Sequence, residues 1–184
     1  MKKYRRKLKR FIGKVKKLKI GTKAMNIAML VIGWFLVIGI AIALVQGFHI
    51  KTVVSNDSMS PTFEKEDILK INKVVYKIAS PNRMDTVAVN IGETKSSVYY
   101  VLRIVGLPGE EIQIKNGRIY VDDELIEYSV PGELIEDPGI AHEVIRLDEN
   151  EYFMMCDNYN NSRNDSRSSN IGVVEKKQIE GRVK

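Results

Sequence analysis

One uncharged segment near the N-terminus constrains this chain more than any other feature. Residues 27–45 are apolar at 19 consecutive positions, and no charged residue occurs from Ala24 to Ile50. At about 1.5 Å of helix rise per residue, this run spans roughly 28 Å, close to the thickness of the hydrocarbon core of a bilayer. The segment therefore predicts a transmembrane helix over residues 25–46.

The charges around this segment predict its orientation. Residues 1–24 contain twelve Lys or Arg and no acid, so the remaining 160 residues hold 17 basic and 23 acidic side chains, a net charge of −6. Positively charged flanks stay on the cytoplasmic side of a membrane. We therefore expect a cytoplasmic tail over 1–24 that contacts membrane lipid, and an extracytoplasmic domain over 47–184. Because the basic excess is confined to the tail, no nucleic-acid partner is expected.

A cleaved secretory signal is the alternative interpretation of the apolar segment. The run is longer than the roughly 7–15 apolar residues of such a signal. Residues 45–48 (VQGF) also form a poor cleavage site. The length therefore favours a retained anchor.

The remainder of the chain has the pattern of a mainly β fold. Short runs rich in Val, Ile and Tyr, bounded by Pro, Gly, Asn and Asp, predict strands. These runs are residues 68–76, 86–90, 98–105, 111–115, 118–121 and 151–155. Asn116-Gly117 supplies the residue pair that a type I′ hairpin turn requires. Residues 124–142 predict an irregular excursion, and a short helix is expected near residues 175–179.

Common catalytic and metal-binding motifs are missing from the sequence. The two histidines, His49 and His142, are far apart, so a Ser-His-Asp triad is not expected. Because no HExxH, CxxC or glycine-rich phosphate loop occurs, we expect neither a metal nor a cofactor. The single cysteine, Cys156, excludes an internal disulfide.

Four short motifs give the sequence a family resemblance. The first, residues 55–62 (SNDSMSPT), predicts only a polar turn when it is taken alone. The others are residues 81–89 (PNRMDTVAV), residues 100–110 (YVLRIVGLPGE) and residues 156–172, which contain CDNYNNS and DSR. In this order behind one transmembrane segment, they resemble the type I signal peptidases, the Ser-Lys proteases that remove signal peptides from secreted proteins. The resemblance implies a LexA-type coiled β-sheet domain.

The same resemblance implies roles for individual residues. Ser58 matches the nucleophile, its backbone N–H matches one oxyanion donor, and the Asn56 amide is a candidate second donor, with a turn role as the alternative. A peptide would lie as an extended strand beside the segment before Ser58. The positions expected to contact this peptide are Val54, Ser55, Asn56, Asp57, Met59 and Pro61. The positions expected to support the catalytic wall are Arg103, Asp157, Asn158, Ser162, Asp165, Ser166 and Arg167.

One position departs from the family where the chemistry depends on it. The family motif Y-V-K-R holds the lysine that acts as general base, and Leu102 stands in its place here. Leucine has no lone pair, and a serine hydroxyl without a base is a weak nucleophile. Ser162 matches the hydroxyl that orients the family lysine, and it loses that partner. The nearest lysines in sequence, Lys95 and Lys115, are not expected to replace the missing amine.

Cys156 occupies the position of a family glycine that packs close to the lysine. Two interpretations stay open. In one, Leu102 and Cys156 are a matched pair that fills the vacated space with apolar volume; in the other, Cys156 is a small buried residue that the site tolerates. We do not expect Cys156 to be a nucleophile, because it too lacks a base.

Two functions are compatible with these residues. The first, favoured by the missing base, is a proteolytically silent protein that resembles the signal-peptidase-like accessory proteins of pilus assembly in Gram-positive bacteria. The second is an active signal peptidase with Ser58 as nucleophile and a base that the sequence does not reveal. An engineered origin of Leu102 is a third interpretation, and it leaves the chemistry unchanged. The expected partners are membrane lipid and either signal peptides or pilin-type secreted proteins.

Overall fold

The computed structural model describes residues 22–47, 49–91, 99–128 and 133–184. These residues divide into two compact units, with the boundary between Gly47 and Phe48. Most of the predicted basic tail and all of the loop that contains Lys95 lie outside the described residues.

The first unit contains one helix, α1 (Thr22–Gly47). Its stretch Lys23–Ile42 has a mean hydropathy of 2.4 and is long and apolar enough to cross a membrane. Large apolar side chains are exposed on it, including Trp34 at 70% and Phe35 at 71%. A helix near the N-terminus that meets this criterion of length and hydropathy is either a membrane anchor or a signal sequence.

The second unit is mainly β, which confirms the predicted fold class. Its described strands are β1 (His49–Val53), β2 (Ile68–Asn72), β3 (Thr86–Val89), β4 (Tyr100–Gly106), β5 (Glu111–Lys115), β6 (Arg118–Val121), β7 (Glu124–Ile126), β8 (Ile145–Arg146), β9 (Glu151–Met155), β10 (Val174–Glu175) and β11 (Ile179–Val183). A short helix α2 (Val75–Ile78) follows β2, and the segments Gly139–His142 and Lys176–Gln178 form 3₁₀ turns.

The strands form two antiparallel sheets. The large sheet has the order β1-β2-β11-β3-β4-β9-β10, and the small sheet has the order β7-β6-β5-β8. Strand β4 pairs with β3 on one side and with β9 on the other. Since successive side chains of a strand point to opposite faces, Leu102 and Arg103 lie on opposite faces of β4.

The core is divided among three groups of buried side chains. One lies between β5, β6 and β9 and includes Ile112 and Phe153. A second lies on β3, β4 and β9 and includes Leu102. A third lies on β2, β3 and β11 and includes Ile71. The second group positions the candidate site, because β4 and β9 both contribute to it.

Local signals predicted several elements at their observed bounds. Strands β5, β6 and β9 begin and end where the sequence predicted. The turn between β5 and β6 has positive φ at Asn116 (53°) and Gly117 (70°), which confirms the type I′ hairpin. The short helix expected near residues 175–179 is a 3₁₀ turn over Lys176–Gln178.

Two other predictions were wrong for local reasons. The strand predicted over residues 68–76 ends at Asn72, because Asn72 Oδ1 accepts hydrogen bonds from the N–H groups of Val74 (3.0 Å) and Val75 (3.3 Å) and turns the chain. The predicted irregular excursion begins instead with β7, which pairs with β6. Asp122 and Asp123 adopt φ values of 49° and 65° there and make a second tight hairpin turn.

Candidate functional site

Ser58 lies in the loop between β1 and β2, and this loop is held against the segment that follows β9. The Ser58 carbonyl accepts a hydrogen bond from the Asn158 N–H at 3.0 Å, and Asn158 Nδ2 donates to the Asp57 carbonyl at 2.9 Å. The neighbouring Met59 side chain is buried, at 1% exposure. The backbone at Ser58 is therefore fixed by contacts with residues about 100 positions later in the chain.

The Ser58 backbone N–H already has an acceptor. It donates to Asn56 Oδ1 at 3.2 Å, which is the hydrogen bond of an Asx turn. Of the two roles considered for Asn56, the structure contains the turn. Asn56 Oδ1 accepts the hydrogen bond from the Ser58 N–H, which is the donor that an oxyanion would need. The two acceptors would therefore compete for one N–H. The role of Asn56 as a second oxyanion donor stays a prediction.

The hydroxyl of Ser58 has no base beside it in the described part of the chain. Among the described residues it has no hydrogen-bond partner. Lys115 is held elsewhere, with Nζ 3.1 Å from Asp123 Oδ1 and 4.3 Å from the centroid of the Tyr120 ring. Lys73 Nζ lies 2.7 Å from Glu180 Oε2. Neither amine is placed to accept the serine proton.

Leu102, which the sequence motif predicts to stand at the position of the family base, is buried in an apolar cluster. Its side chain is 1% exposed. The pairs Arg103↔Met155 and Ile104↔Met154 set the register of β4 and β9, and the next position places Leu102 opposite Cys156. The cluster comprises Val87, Val89, Leu102, Ile104, Tyr152, Met154, Cys156 and Val174. We call Leu102 and Cys156 together the apolar plug.

Cys156 is a buried thiol whose surroundings keep it protonated. Its Sγ lies 3.5 Å from Ser162 Oγ and 3.6 Å from the Asn164 carbonyl oxygen. Burial, with the nearby Asp165 carboxylate as a smaller contribution, raises the pKa of Cys156 to about 12. A thiol protonated at neutral pH is not a nucleophile. The hydroxyl of Ser162, expected to have lost its lysine partner, thus contacts sulfur.

Arg103 connects three segments of the site through one carboxylate. Its Nε donates to Asp157 Oδ1 at 2.8 Å and its Nη2 donates to Oδ2 at 2.5 Å, a bidentate pair. Thr62 Oγ1 donates to the same Oδ2 at 2.5 Å, and Arg103 Nη1 donates to the Met84 carbonyl at 2.9 Å. Strand β4, the loop that carries Ser58 and the segment after β9 are therefore tied together.

A second ion pair, between Asp165 and Arg167, is almost completely buried. The exposed fractions of these residues are 0% and 2%. Arg167 Nη2 donates to Asp165 Oδ2 at 2.8 Å and to the carbonyls of Tyr159 (2.8 Å) and Ser162 (2.7 Å). Asp165 Oδ2 also accepts the Cys156 N–H at 3.1 Å. A buried pair with so many hydrogen bonds holds the loop after β9 in one conformation. We call Arg103, Asp157, Asp165 and Arg167 the charged brace.

Ser166 also fastens this loop to β9. Its Oγ accepts the Met154 N–H at 3.0 Å, and its own N–H donates to the Met154 carbonyl at 2.9 Å. The structure therefore brings the predicted supporting residues together around the middle of β4 and the end of β9. Their part in catalysis stays a prediction, because these contacts also serve the fold.

Tyr128 is a site residue that sequence reasoning missed. Its hydroxyl lies 3.2 Å from Asp157 Oδ1, 3.2 Å from the Met155 carbonyl and 3.3 Å from the Cys156 carbonyl. Desolvation raises the pKa of Tyr128 well above its ordinary value. The residue lies in the stretch predicted to be irregular, where a single aromatic among polar residues was the sole signal.

The segment expected to contact a peptide is partly buried. Val54 is 6% exposed, and its N–H and carbonyl bond to the Asp67 carbonyl and the Glu66 N–H, each at 3.0 Å. Met59 is also buried. The exposed members of the segment are Ser55, Asn56, Asp57 and Pro61. Strand β1, which precedes this segment, is an edge strand of the large sheet in the described residues. An edge strand offers backbone groups for the addition of a peptide strand.

Comparison with known proteins identifies relatives along most of the chain. The sequence model of the family described as signal peptidase, peptidase S26, matches residues 27–184. Signal peptidase I S of Bacillus subtilis (strain 168) is 33% identical over 140 residues, which cover 72% of this chain and 73% of that protein. Signal peptidase I P of Bacillus subtilis subsp. natto is 34% identical over 167 residues, which cover 82% of this chain and 85% of that protein. A crystal structure of a signal peptidase I from Enterococcus faecalis V583 is 21% identical, with a TM-score of 0.45, and the match covers 58% of this chain and 98% of that one.

Proposed function

The chain belongs to the signal peptidase S26 family, and from this premise we propose that it is a membrane-anchored, proteolytically silent member that binds peptides. Its clients would be signal peptides or pilin-type secreted proteins, and its role would be accessory, in the assembly of surface proteins such as pili. One observation carries the proposal: Leu102, which we infer to match the family's general base, is buried in apolar surroundings.

The absent base affects catalysis more than any other feature of the site. The serine hydroxyl must give up its proton in the transition state, and a base within hydrogen-bond reach must accept it. Removal of one member of such a unit commonly costs several orders of magnitude in rate. Ser58 has no such partner among the described residues, and the Cys156 thiol cannot serve because its pKa is raised to about 12.

The surroundings of Leu102 also oppose a simple return of the lysine. The side chain of Cys156 takes up volume where the family has a glycine, and both members of the apolar plug are buried at 1% exposure or less. In the single variant Leu102→Lys, with Cys156 unchanged, the ammonium group would lose its hydration, which carries a large free-energy cost. The two departures support the interpretation of a matched pair.

The retained features support peptide binding rather than cleavage. The loop that carries Ser58 is fixed by Asn158, β1 is an edge strand, and Ser55, Asn56 and Asp57 are exposed beside it. Strand addition needs backbone groups and a rigid scaffold, and it does not need a base. An active peptidase with Ser58 as nucleophile is the second candidate, favoured by the presence of Ser58 and of the charged brace.

The membrane placement is part of the same proposal. Helix α1 has the length and hydropathy of a membrane span, and twelve basic residues precede or begin it. Positive flanks favour a cytoplasmic N-terminus. We therefore propose a tail over 1–24, a single-pass anchor over 25–46 and an extracytoplasmic domain over 47–184.

A cleavage assay separates the two candidates. The full chain in detergent is incubated with a secreted precursor beside Ser58→Ala, the double variant Leu102→Lys/Cys156→Gly and the control Leu102→Met. We expect no cleavage by the unmodified chain above the Ser58→Ala background, and measurable cleavage by the double variant, where glycine returns the space for the lysine chain. Cleavage by the unmodified chain that Ser58→Ala abolishes would establish the active candidate instead.

A binding assay tests the accessory role. Fluorescent peptides from a signal sequence and from a pilin precursor are titrated with the full chain, and anisotropy is recorded with scrambled peptides as controls. Saturable binding of either native peptide, without turnover, is the expected result. Equal affinity for native and scrambled peptides would contradict a client-binding cleft.

A further inference from the structure

A basic cavity lies at the junction of β2, α2 and β11, and no residue of its lining belongs to the site around Ser58. Its volume is about 340 Å³, and its charged and aromatic lining consists of Lys73, Lys77, Lys176, Lys177, Glu180 and Tyr76. Small-ligand pockets in proteins begin at about 300 Å³. The cavity is therefore large enough for a small charged group.

Two of the four lysines are neutralised by glutamates. Lys73 Nζ lies 2.7 Å from Glu180 Oε2, and Lys177 Nζ lies 2.7 Å from Glu175 Oε2. Lys77 and Lys176 are exposed, and neither has an ion-pair partner in the described part of the chain. Two uncompensated ammonium groups therefore border one cavity.

The residues that line the cavity belong to two basic segments of an acidic domain. Residues 49–78 and 174–184, which contain β1, β2, α2, β10 and β11, carry nine Lys or Arg against six Asp or Glu. Residues 79–173 carry eight against 17. The like charges of the four lysines that line the cavity repel each other, and a bound anion reduces that repulsion.

We propose that this cavity binds a phosphate group with a net negative charge, carried either by an anionic lipid headgroup or by a soluble phosphate compound; the zwitterionic headgroup of phosphatidylcholine is not such a group. A phosphate offers several acceptor oxygens and no donor, and each ammonium offers three donors and no acceptor. Lysine acts as a compact point charge that suits such an anion. Ile78, next to Lys77 in the chain, is 84% exposed and adds an apolar surface that fits the lipid source.

Residue-resolved acetylation tests the site in the full chain. The protein is placed in nanodiscs of phosphatidylcholine alone, of phosphatidylcholine with phosphatidylglycerol, and of phosphatidylcholine with added sodium phosphate or glycerol phosphate. Mass spectrometry follows the acetylation rate of each lysine. When the concentration of the phosphate compound or lipid is about ten times its dissociation constant, only about a tenth of the sites are free. Acetylation of Lys77 and Lys176 should then be roughly tenfold slower. Lys65, exposed in the turn before β2, should be unaffected.

The arms separate the sources of the phosphate. Protection with phosphatidylglycerol alone identifies a lipid headgroup, and protection by the soluble compounds identifies a free phosphate. Protection of Lys65 to the same extent, or no protection in any arm, would overturn the proposal.

Charge-matched variants complete the test. Lys77→Gln/Lys176→Gln should lose the rise in Tm that the protecting phosphate compound causes, while Lys65→Gln/Arg118→Gln, with the same change in net charge, should keep it. Lys65 and Arg118 are both exposed and lie outside the cavity lining. Equal loss in both variants would mean that general electrostatic attraction is responsible, which contradicts a site. Neither double variant alters the residues around Ser58, so the result is independent of whether the chain cleaves peptides.

Discussion

Leu102 and Arg103 are neighbours on β4, yet they lie on two faces of the strand, of which one is apolar and the other charged. On one face Arg103 joins the charged brace, where the ionic groups are paired and hydrogen-bonded across three segments. On the other face Leu102 joins the apolar plug. In the motif matches predicted from the sequence, the brace keeps the family's residues, and the plug departs from them at both of its positions. Under the proposed silent function, support of the loop conformation and transfer of a proton are separable requirements in this fold.

The largest expected effect comes from the brace. Arg167→Leu leaves the Asp165 carboxylate buried without its partner, and removal of one member of a buried pair costs about 3–5 kcal/mol of stability. The free energy of unfolding, measured by urea denaturation of the full chain in detergent, should fall by this amount. Arg163→Leu is the matched control, because Arg163 pairs with Asp137 while its side chain is 72% exposed. It should cost less than about 1 kcal/mol. Equal losses would contradict a structural role for the buried pair.

The next effect concerns the plug. Leu102→Ala leaves a cavity in a fully buried cluster, and such substitutions cost about 3 kcal/mol. Leu102→Met nearly conserves volume and should cost less than about 1.5 kcal/mol in the same denaturation experiment. A loss for Leu102→Ala as small as that for Leu102→Met would mean that the position is loosely packed, and the contrast between the two faces would fail.

The Cys156 thiol of the apolar plug makes the stability of the folded chain depend on pH in the alkaline range. The pKa of Cys156 is about 12 in the folded chain, above the ordinary value of 9.0, because burial disfavours the thiolate. The folded state then holds the proton more tightly than the unfolded state does. This contribution to stability is complete below about pH 9 and is lost as the pH rises toward 12.

A comparison of Tm against pH for the unmodified chain and Cys156→Ala tests this contribution, since only the unmodified chain carries the thiol. The difference in Tm between them should shrink above pH 9. Alkylation of Cys156 by iodoacetamide should also be slow in the folded chain. Rapid alkylation at pH 8 would show that the thiol is neither buried nor protonated as described.

The smallest effect concerns the loop that carries Ser58. Asn56→Ala releases the Ser58 N–H and should cost about 1 kcal/mol of stability. Placed in the Leu102→Lys/Cys156→Gly background, the same change frees a donor for the oxyanion, and we expect up to about tenfold faster cleavage of the precursor. Asn56→Asp keeps the acceptor oxygen and should keep the N–H occupied. The same gain from both variants would contradict competition for this donor.

Short-range signals predicted the parts of the fold that local chemistry controls. The hairpin of β5 and β6 follows from Asn116-Gly117 and the alternation on both sides of it. The end of β2 was missed, although its cause is also local, because an asparagine side chain that caps two N–H groups resembles any other polar residue in a strand pattern. Strands β8 and β10 have two residues each, too few for a periodicity to be recognised.

The candidate site divides in a similar way. The motifs named Ser58, Arg103, Asp157, Asp165 and Arg167, and the structure brings these residues together near the middle of β4 and the end of β9. Tyr128 was missed, because its partner Asp157 lies 29 positions away and no motif connects the two. The hydrogen bond of Asn56 also became clear only from the tertiary structure. The sequence allowed its amide either to donate to an oxyanion or to accept from the Ser58 N–H.

By itself, the sequence determined the apolar helix, the mainly β class, the family and the absence of a lysine at position 102, because these depend on composition, short periodicities and ordered motifs. Tertiary structure decided which groups meet. The register of β4 and β9 sets Leu102 opposite Cys156, and folding brings Lys73 to Glu180, 107 positions away, at the edge of a lysine-lined cavity. Such contacts depend on strand pairing between distant segments, which local sequence does not encode.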